Sequence, residues 1–179
     1  MTTEIIIAGF GGQGVLSMGK ILAYSGLMDD KEVTWMPSYG PEQRGGTANV
    51  TVILSDERIS SPVLDKYDIV VALNQQSLDK FAPRVKAGGV LIYDNNGIHN
   101  LPDRKDIKIH AIDAMGATLE IGNSKAYNMV VMGSLLEAME YKLPMENVVK
   151  GLKKSLPERH HHLIPLNEQA IEKGRSLLK

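Results

Sequence analysis

Two stretches of this sequence place residues in patterns that bind anions. The first is Gly9-Phe10-Gly11-Gly12-Gln13-Gly14, which follows the β-branched run Ile5-Ile6-Ile7 and precedes apolar residues at helical spacing. Glycine permits positive φ and close backbone approach, and a helix N-terminus supplies unpaired N–H groups with partial positive charge. The spacing of Gly9, Gly11 and Gly14 is that of a phosphate-cradling turn. The second stretch is residues 37–46, Pro-Ser-Tyr-Gly-Pro-Glu-Gln-Arg-Gly-Gly. Arg44 stands beside Gly45 and Gly46, where the backbone can come close to a ligand and the guanidinium fork can pair with a phosphate or carboxylate. The alternative for Arg44 is an ion pair with Glu42 or with an acid of a partner chain. Tyr39 suits stacking on a flat ligand, or an interface.

The glycine turn lacks the second half of a nicotinamide site. Such a site wants an acid at the end of the second strand to hold the ribose hydroxyls. Here that strand reads Val33-Thr34-Trp35-Met36, and Glu32 precedes it. Two readings stay open: a site for another phosphate, and glycines needed only for tight packing. Other candidates carry less. His160-His161-His162 cannot converge on one ion from a single helix or strand, so a solvated turn is expected there. Asp94 ends an apolar strand and has no His or Lys beside it in sequence, which suits a turn role. Met129, Met132 and Met139 read as packing. No nucleophile–base pair is visible.

The elements that must position these residues alternate. Apolar runs at 4–8, 33–36, 48–54, 69–73, 90–93 and 107–112 read as strands, with residues 37–46 as a loop after Pro37. Asn74 suits the cap of a helix reaching about residue 85. Residues 125–142 form a segment apolar on nearly every side, hence a helix buried in the domain or against a partner. Further helices are expected over 145–156 and 167–178. The pattern predicts one α/β domain over residues 1–179, a Rossmann-like, doubly wound and mainly parallel sheet with C-terminal helices.

Composition narrows the function. Twenty basic residues oppose 21 acidic ones, a formal charge of −1, so no field attracts nucleic acid or an anionic membrane. There is no cysteine, which removes disulfides, a thiolate nucleophile and iron–sulfur ligation by this chain. No apolar run is long enough to cross a bilayer and no leader pattern precedes the first strand, so a cytoplasmic protein is expected.

Taken together, the two glycine-rich motifs resemble the gamma subunit of 2-oxoacid:ferredoxin oxidoreductases. The likeness runs through Asp68-Ile-Val-Val-Ala-Leu-Asn74, the strand Gly88 to Asp94, and Asn128, so it covers nearly the whole chain. Ser38-Tyr39-Gly40-Pro41-Glu42-x-Arg44-Gly45-Gly46 looks like the branched-chain and 2-oxoglutarate types, whereas indolepyruvate types tend to carry Met-Ala-Gln-Arg-Gly-Gly. Gln43 departs from the Met usual in related subunits. The resemblance implies oxidative decarboxylation of a 2-oxoacid to acyl-CoA, with thiamine diphosphate and iron–sulfur clusters on alpha and beta subunits or a ferredoxin-like delta subunit. It implies no cofactor held by this chain and CoA as a substrate ligand, with Gly9, Gly11, Gly12, Gln13, Gly14, Tyr39, Arg44, Gly45 and Gly46 as the contacts. An indolepyruvate-type small subunit and a stand-alone nucleotide-binding protein are the alternatives. Without its partners the chain is expected to be inactive and to form a homodimer.

Overall fold

The computed structural model describes residues 1–40 and 47–178. Arg44, Gly45 and Gly46 lie outside the described residues. Six strands form one sheet in the order β2-β3-β1-β4-β5-β6: β1 (Thr2–Phe10), β2 (Glu32–Tyr39), β3 (Thr47–Ser55), β4 (Tyr67–Ala72), β5 (Val85–Asp94) and β6 (Lys108–Ile112). β1, β4, β5 and β6 pair in parallel. β3 alone runs against its neighbours, antiparallel to β1 and to β2. The sheet is therefore mainly parallel, as expected, but its first crossover is unusual. Helix α1 (Val15–Leu27) carries the chain from β1 to an edge strand two positions away, and β3 then fills the gap from the opposite direction.

β2 corrects the reading of residues 37–46 as a loop. The strand continues through Pro37 and Ser38 to Tyr39, paired with Val50, Asn49 and Ala48 of β3. Proline is tolerated because β2 is the edge, where the missing N–H can face away from the ladder.

Helices cover both faces unequally. α1, α3 (Ala114–Ile121), α4 (Tyr127–Ala138), α5 (Met145–Ser155) and α6 (Ile164–Ser176) build the larger core with Ile5, Ile7, Val50, Val52 and Val71. The smaller core on the other face holds Ile6, Val70 and Leu91 under α2 (Gln75–Phe81). Asn74 caps α2 through its Oδ1, which accepts from Ser77 N–H at 2.8 Å.

The apolar segment expected over 125–142 is helical from Tyr127 to Ala138, after a 3₁₀ turn at Ser124–Ala126. Eight consecutive residues, Met129 to Leu136, are buried, because α4 lies between the sheet and α6. The two helices approach backbone to backbone. A methyl group on Gly174 would overlap the Val130 carbonyl oxygen, and one on Gly133 the Ile171 carbonyl. Ser134 Oγ donates to the Gly174 carbonyl at 2.9 Å across the same crossing.

The amino ends of β1, β4 and β5 are tied by ions, with Lys86 paired to Glu4 and to Asp68 (2.7 Å). Among the described residues no helix is long and apolar enough to cross a membrane.

The α4–α6 crossing yields a stability prediction. Gly174→Ala should lower the unfolding free energy by about 3 kcal/mol, since the clash is with backbone and cannot be relieved by a rotamer change. Urea denaturation of this variant beside Ser176→Ala, an exposed change on the same helix, measures it.

Candidate functional site

The glycine turn leaves the carboxyl end of β1 and enters α1. Gly12 has φ 98° and Gly14 φ 76°, both in the left-handed region that glycine adopts without a Cβ penalty. Gly14 stands at the N-cap of α1 in this conformation, and no side chain caps the helix. There is also no acid in the first turn, so the amides from Val15 to Ser17 keep their free N–H groups and their partial positive charge.

Two side chains hold the turn. Gln13 Oε1 accepts from Phe10 N–H at 2.6 Å, and its Nε2 donates to the Leu73 carbonyl at 3.2 Å. Both ends of the Gln13 amide are thereby engaged with backbone, so the residue expected as a ligand contact is a staple between the ends of β1 and β4. Gly9 is explained by the same staple. It is buried, and a Cβ there would meet Gln13 Oε1 and Leu73 Cβ. Beneath the turn lies Asn128 of α4, whose Cβ would stand 2.8 Å from a Cβ on Gly14. Gly14 is thus constrained twice, by its φ and by a neighbour with no room to give.

Above the turn opens a cleft of about 560 Å³. Gly11, Gly12, Gly14 and Ser17 form one wall, and Tyr39, Gly40, Thr47 and Ala48 the other. Tyr39 and Gly40, the described residues of the second motif beside the cleft, lie at the same end of the sheet as the glycine turn. They meet because β2 ends, and β3 begins, where β1 ends. Tyr39 is 67% exposed beside the cleft. Phe10, Leu16, Ser17 and Thr47, which sequence reasoning did not single out, line the cleft too. No charged side chain lines it among the described residues. Among the described residues, attraction for an anion on this side comes from backbone N–H groups.

A second cleft, about 280 Å³, opens on the other side of Gly12, over the switch point between β1 and β4 where the helices change face. It is lined by Gly12, Gln13, Asp94, Asn96, Ser124, Met115 and Tyr127. Asp94 is 2% exposed. Its Oδ1 accepts from Asn96 N–H at 3.2 Å, the expected turn role, and its Oδ2 accepts from the Tyr127 hydroxyl at 2.6 Å. Burial raises the Tyr127 phenol above its ordinary value, and the hydrogen bond to the Asp94 carboxylate raises it further. This pair was not foreseen, because 33 residues separate its members. Among the described residues no three His, Cys, Asp or Glu side chains group as metal ligands.

Comparison with known proteins places this geometry. The family profile of pyruvate ferredoxin/flavodoxin oxidoreductase matches residues 4–177. Ketoisovalerate oxidoreductase subunit VorA of Methanothermobacter thermautotrophicus is 39% identical over 176 residues, covering 96% of this chain. The chain spans only 35% of that relative's length. 2-Oxoglutarate synthase subunit KorC of Methanothermobacter marburgensis is 35% identical over 185 residues, covering 99% of this chain and 97% of KorC. Among solved structures, the gamma subunit of a keto/oxoacid ferredoxin oxidoreductase from Geobacter sulfurreducens superposes with a TM-score of 0.82 at 28% identity, over 99% of this chain and 98% of that one.

Two outcomes test the site's construction. Gln13→Leu leaves the Phe10 amide and the Leu73 carbonyl unpaired and should cost about 2 kcal/mol in a denaturant titration. Tyr127 gives a pH signature. Its folded-state pKa lies above the unfolded value of about 10, so its stabilisation is complete below that pH and is lost as pH rises beyond it. Tyr127→Phe should flatten that alkaline decline in melting temperature.

Proposed function

The chain belongs to the pyruvate ferredoxin/flavodoxin oxidoreductase family, and we propose that it acts as the gamma subunit of a 2-oxoacid:ferredoxin oxidoreductase. The reaction joins a 2-oxoacid and CoA, releases CO2 and passes an electron pair to ferredoxin, leaving acyl-CoA. In this reading the 2-oxoacid is of the branched-chain or 2-oxoglutarate type, as the names of VorA and KorC suggest. The chain works in the cytoplasm with alpha and beta subunits, and a ferredoxin-like delta subunit where one exists. Thiamine diphosphate supplies the decarboxylation chemistry and iron–sulfur clusters the electron path, both on those partners. This sequence has no cysteine to ligate a cluster.

The observation that carries the reading is the cleft over the glycine turn, lined among the described residues by backbone amides and neutral side chains, inside a chain matched by the family along nearly its whole length. CoA is extended and polyanionic. The amides of Gly11, Gly12 and Gly14 and the uncapped start of α1 face such phosphates, and Tyr39 offers a ring to the adenine. Gly12 borders both clefts, so a chain-like ligand can cross the turn from one to the other. Arg44, Gly45 and Gly46 would complete the phosphate contacts. Gly9 and Gln13 act indirectly, by holding the turn. Alone, the chain is inactive and self-associates through surfaces its partners cover.

Reconstitution decides the matter. Alpha and beta subunits with this chain should reduce ferredoxin in a CoA-dependent manner, and Gly12→Val should raise KM for CoA at least tenfold, by about 1.4 kcal/mol. A complex that assembles and turns over equally well without the chain would refute the proposal.

A further inference from the structure

A cleft of similar size to the one over the turn lies outside both motifs. It holds about 600 Å³ between α1, the start of α4, the end of α5, the 3₁₀ segment Glu158–Leu163 and the start of α6. Its polar lining is Ser17, which also borders the cleft over the turn, with Asn123, Lys125, Asn128, His160, His162 and Asn167, and no carboxylate is among the lining residues. Its floor is apolar and closed, with Ile21, Met129 and Leu152 no more than 3% exposed. Among the described residues no acid pairs with Lys125.

The histidine triplet explains how the cleft keeps its shape. His161 Nε2 lies 3.0 Å from the carbonyls of both Lys153 and Leu156, so it carries the proton and donates to the end of α5. That bond pins the 3₁₀ segment, and the two flanking imidazoles line the cleft. The expected solvated turn is thus a clamp that sets two imidazoles at the rim, across from the Lys125 ammonium. First turns free of acids at α1, α4 and α6 add to the positive field on this side.

We propose that this cleft binds a small amphipathic carboxylate, its head at Lys125, His160 and His162 and its short aliphatic body on the Ile21–Met129–Leu152 floor. The volume is that of small-molecule sites, about 300–1,000 Å³. The lining residues offer one ammonium, two imidazoles and amide groups but no arginine fork, Arg159 being turned to His160 Nε2 at 3.3 Å, which suits a single carboxylate better than a phosphate. The apolar floor asks for a body that inorganic anions lack. The site is separate from the proposed CoA contacts but touches them, since Asn128 lines this cleft and packs against Gly14.

The test uses the full chain and 4-methylpentanoate as probe, followed by amide NMR shifts. Saturable binding with shifts at Lys125, Asn128 and His162 is expected, with 4-methylpentanamide and inorganic phosphate each about tenfold weaker. The double variant Lys125→Gln, His162→Gln, both exposed positions that leave the fold intact, should lose about tenfold for the acid and nothing for the amide. Equal binding of acid and amide, phosphate binding as tight as the acid, or shifts confined to residues 9–14 would overturn the proposal. So would failure of the acid to bind in an assembled complex where a partner chain covers these residues.

Discussion

The amide of Gln13 is the contact on which the rest of the site depends. One side chain satisfies the Phe10 N–H at the start of the turn and the Leu73 carbonyl at the end of β4. It closes the turn into a ring and ties that ring to the neighbouring parallel strand. A turn made of glycines has maximal backbone freedom to lose, and here two hydrogen bonds from a single residue take it up. From Gly14 the constraint passes to Asn128, along α4 to the glycine crossing at Gly133 and Gly174, and so to α6. The mobile-looking part of the sequence is anchored to its most buried helix.

Much of this was legible in the residues because the cause was local. Positive φ demanded glycine at Gly12 and Gly14. Val70, Val71 and Ala72 read as a strand covered on both faces, and Asn74 as a cap. The continuous apolar character of residues 129–136 announced a helix with no exposed side. What the sequence hid was set by distance. The partner of Gln13 lies 60 residues away and that of Tyr127 lies 33 residues away. An amide and a phenol near a glycine turn look equally suited to ligand and to structure until those partners are placed. Pro37 misled for a related reason. Proline ends a central strand but not an edge strand, and no local pattern tells the two apart.

Charge is sorted within a chain whose net value is close to zero. Paired ions tie the amino ends of β1, β4 and β5 at Glu4, Asp68 and Lys86, while among the described residues the cleft over the turn is lined by neutral side chains and free amides. Amides in such a setting discriminate by geometry more than by field. They need no counter-ion when vacant and carry no desolvation cost comparable to that of a buried lysine.

The reversed direction of β3 has a further consequence. Because it runs against β2, the chain leaves at Gly40 and returns at Thr47 as neighbours, with the Gly40 amide donating to the Thr47 carbonyl at 3.2 Å. A parallel strand would have required a traverse of the whole sheet at this point. Instead Gly40 and Thr47 are moored side by side at the rim of the cleft. The six residues between them include Arg44, Gly45 and Gly46, so the motif that carries the family likeness is joined to the scaffold across a single pair of adjacent strands.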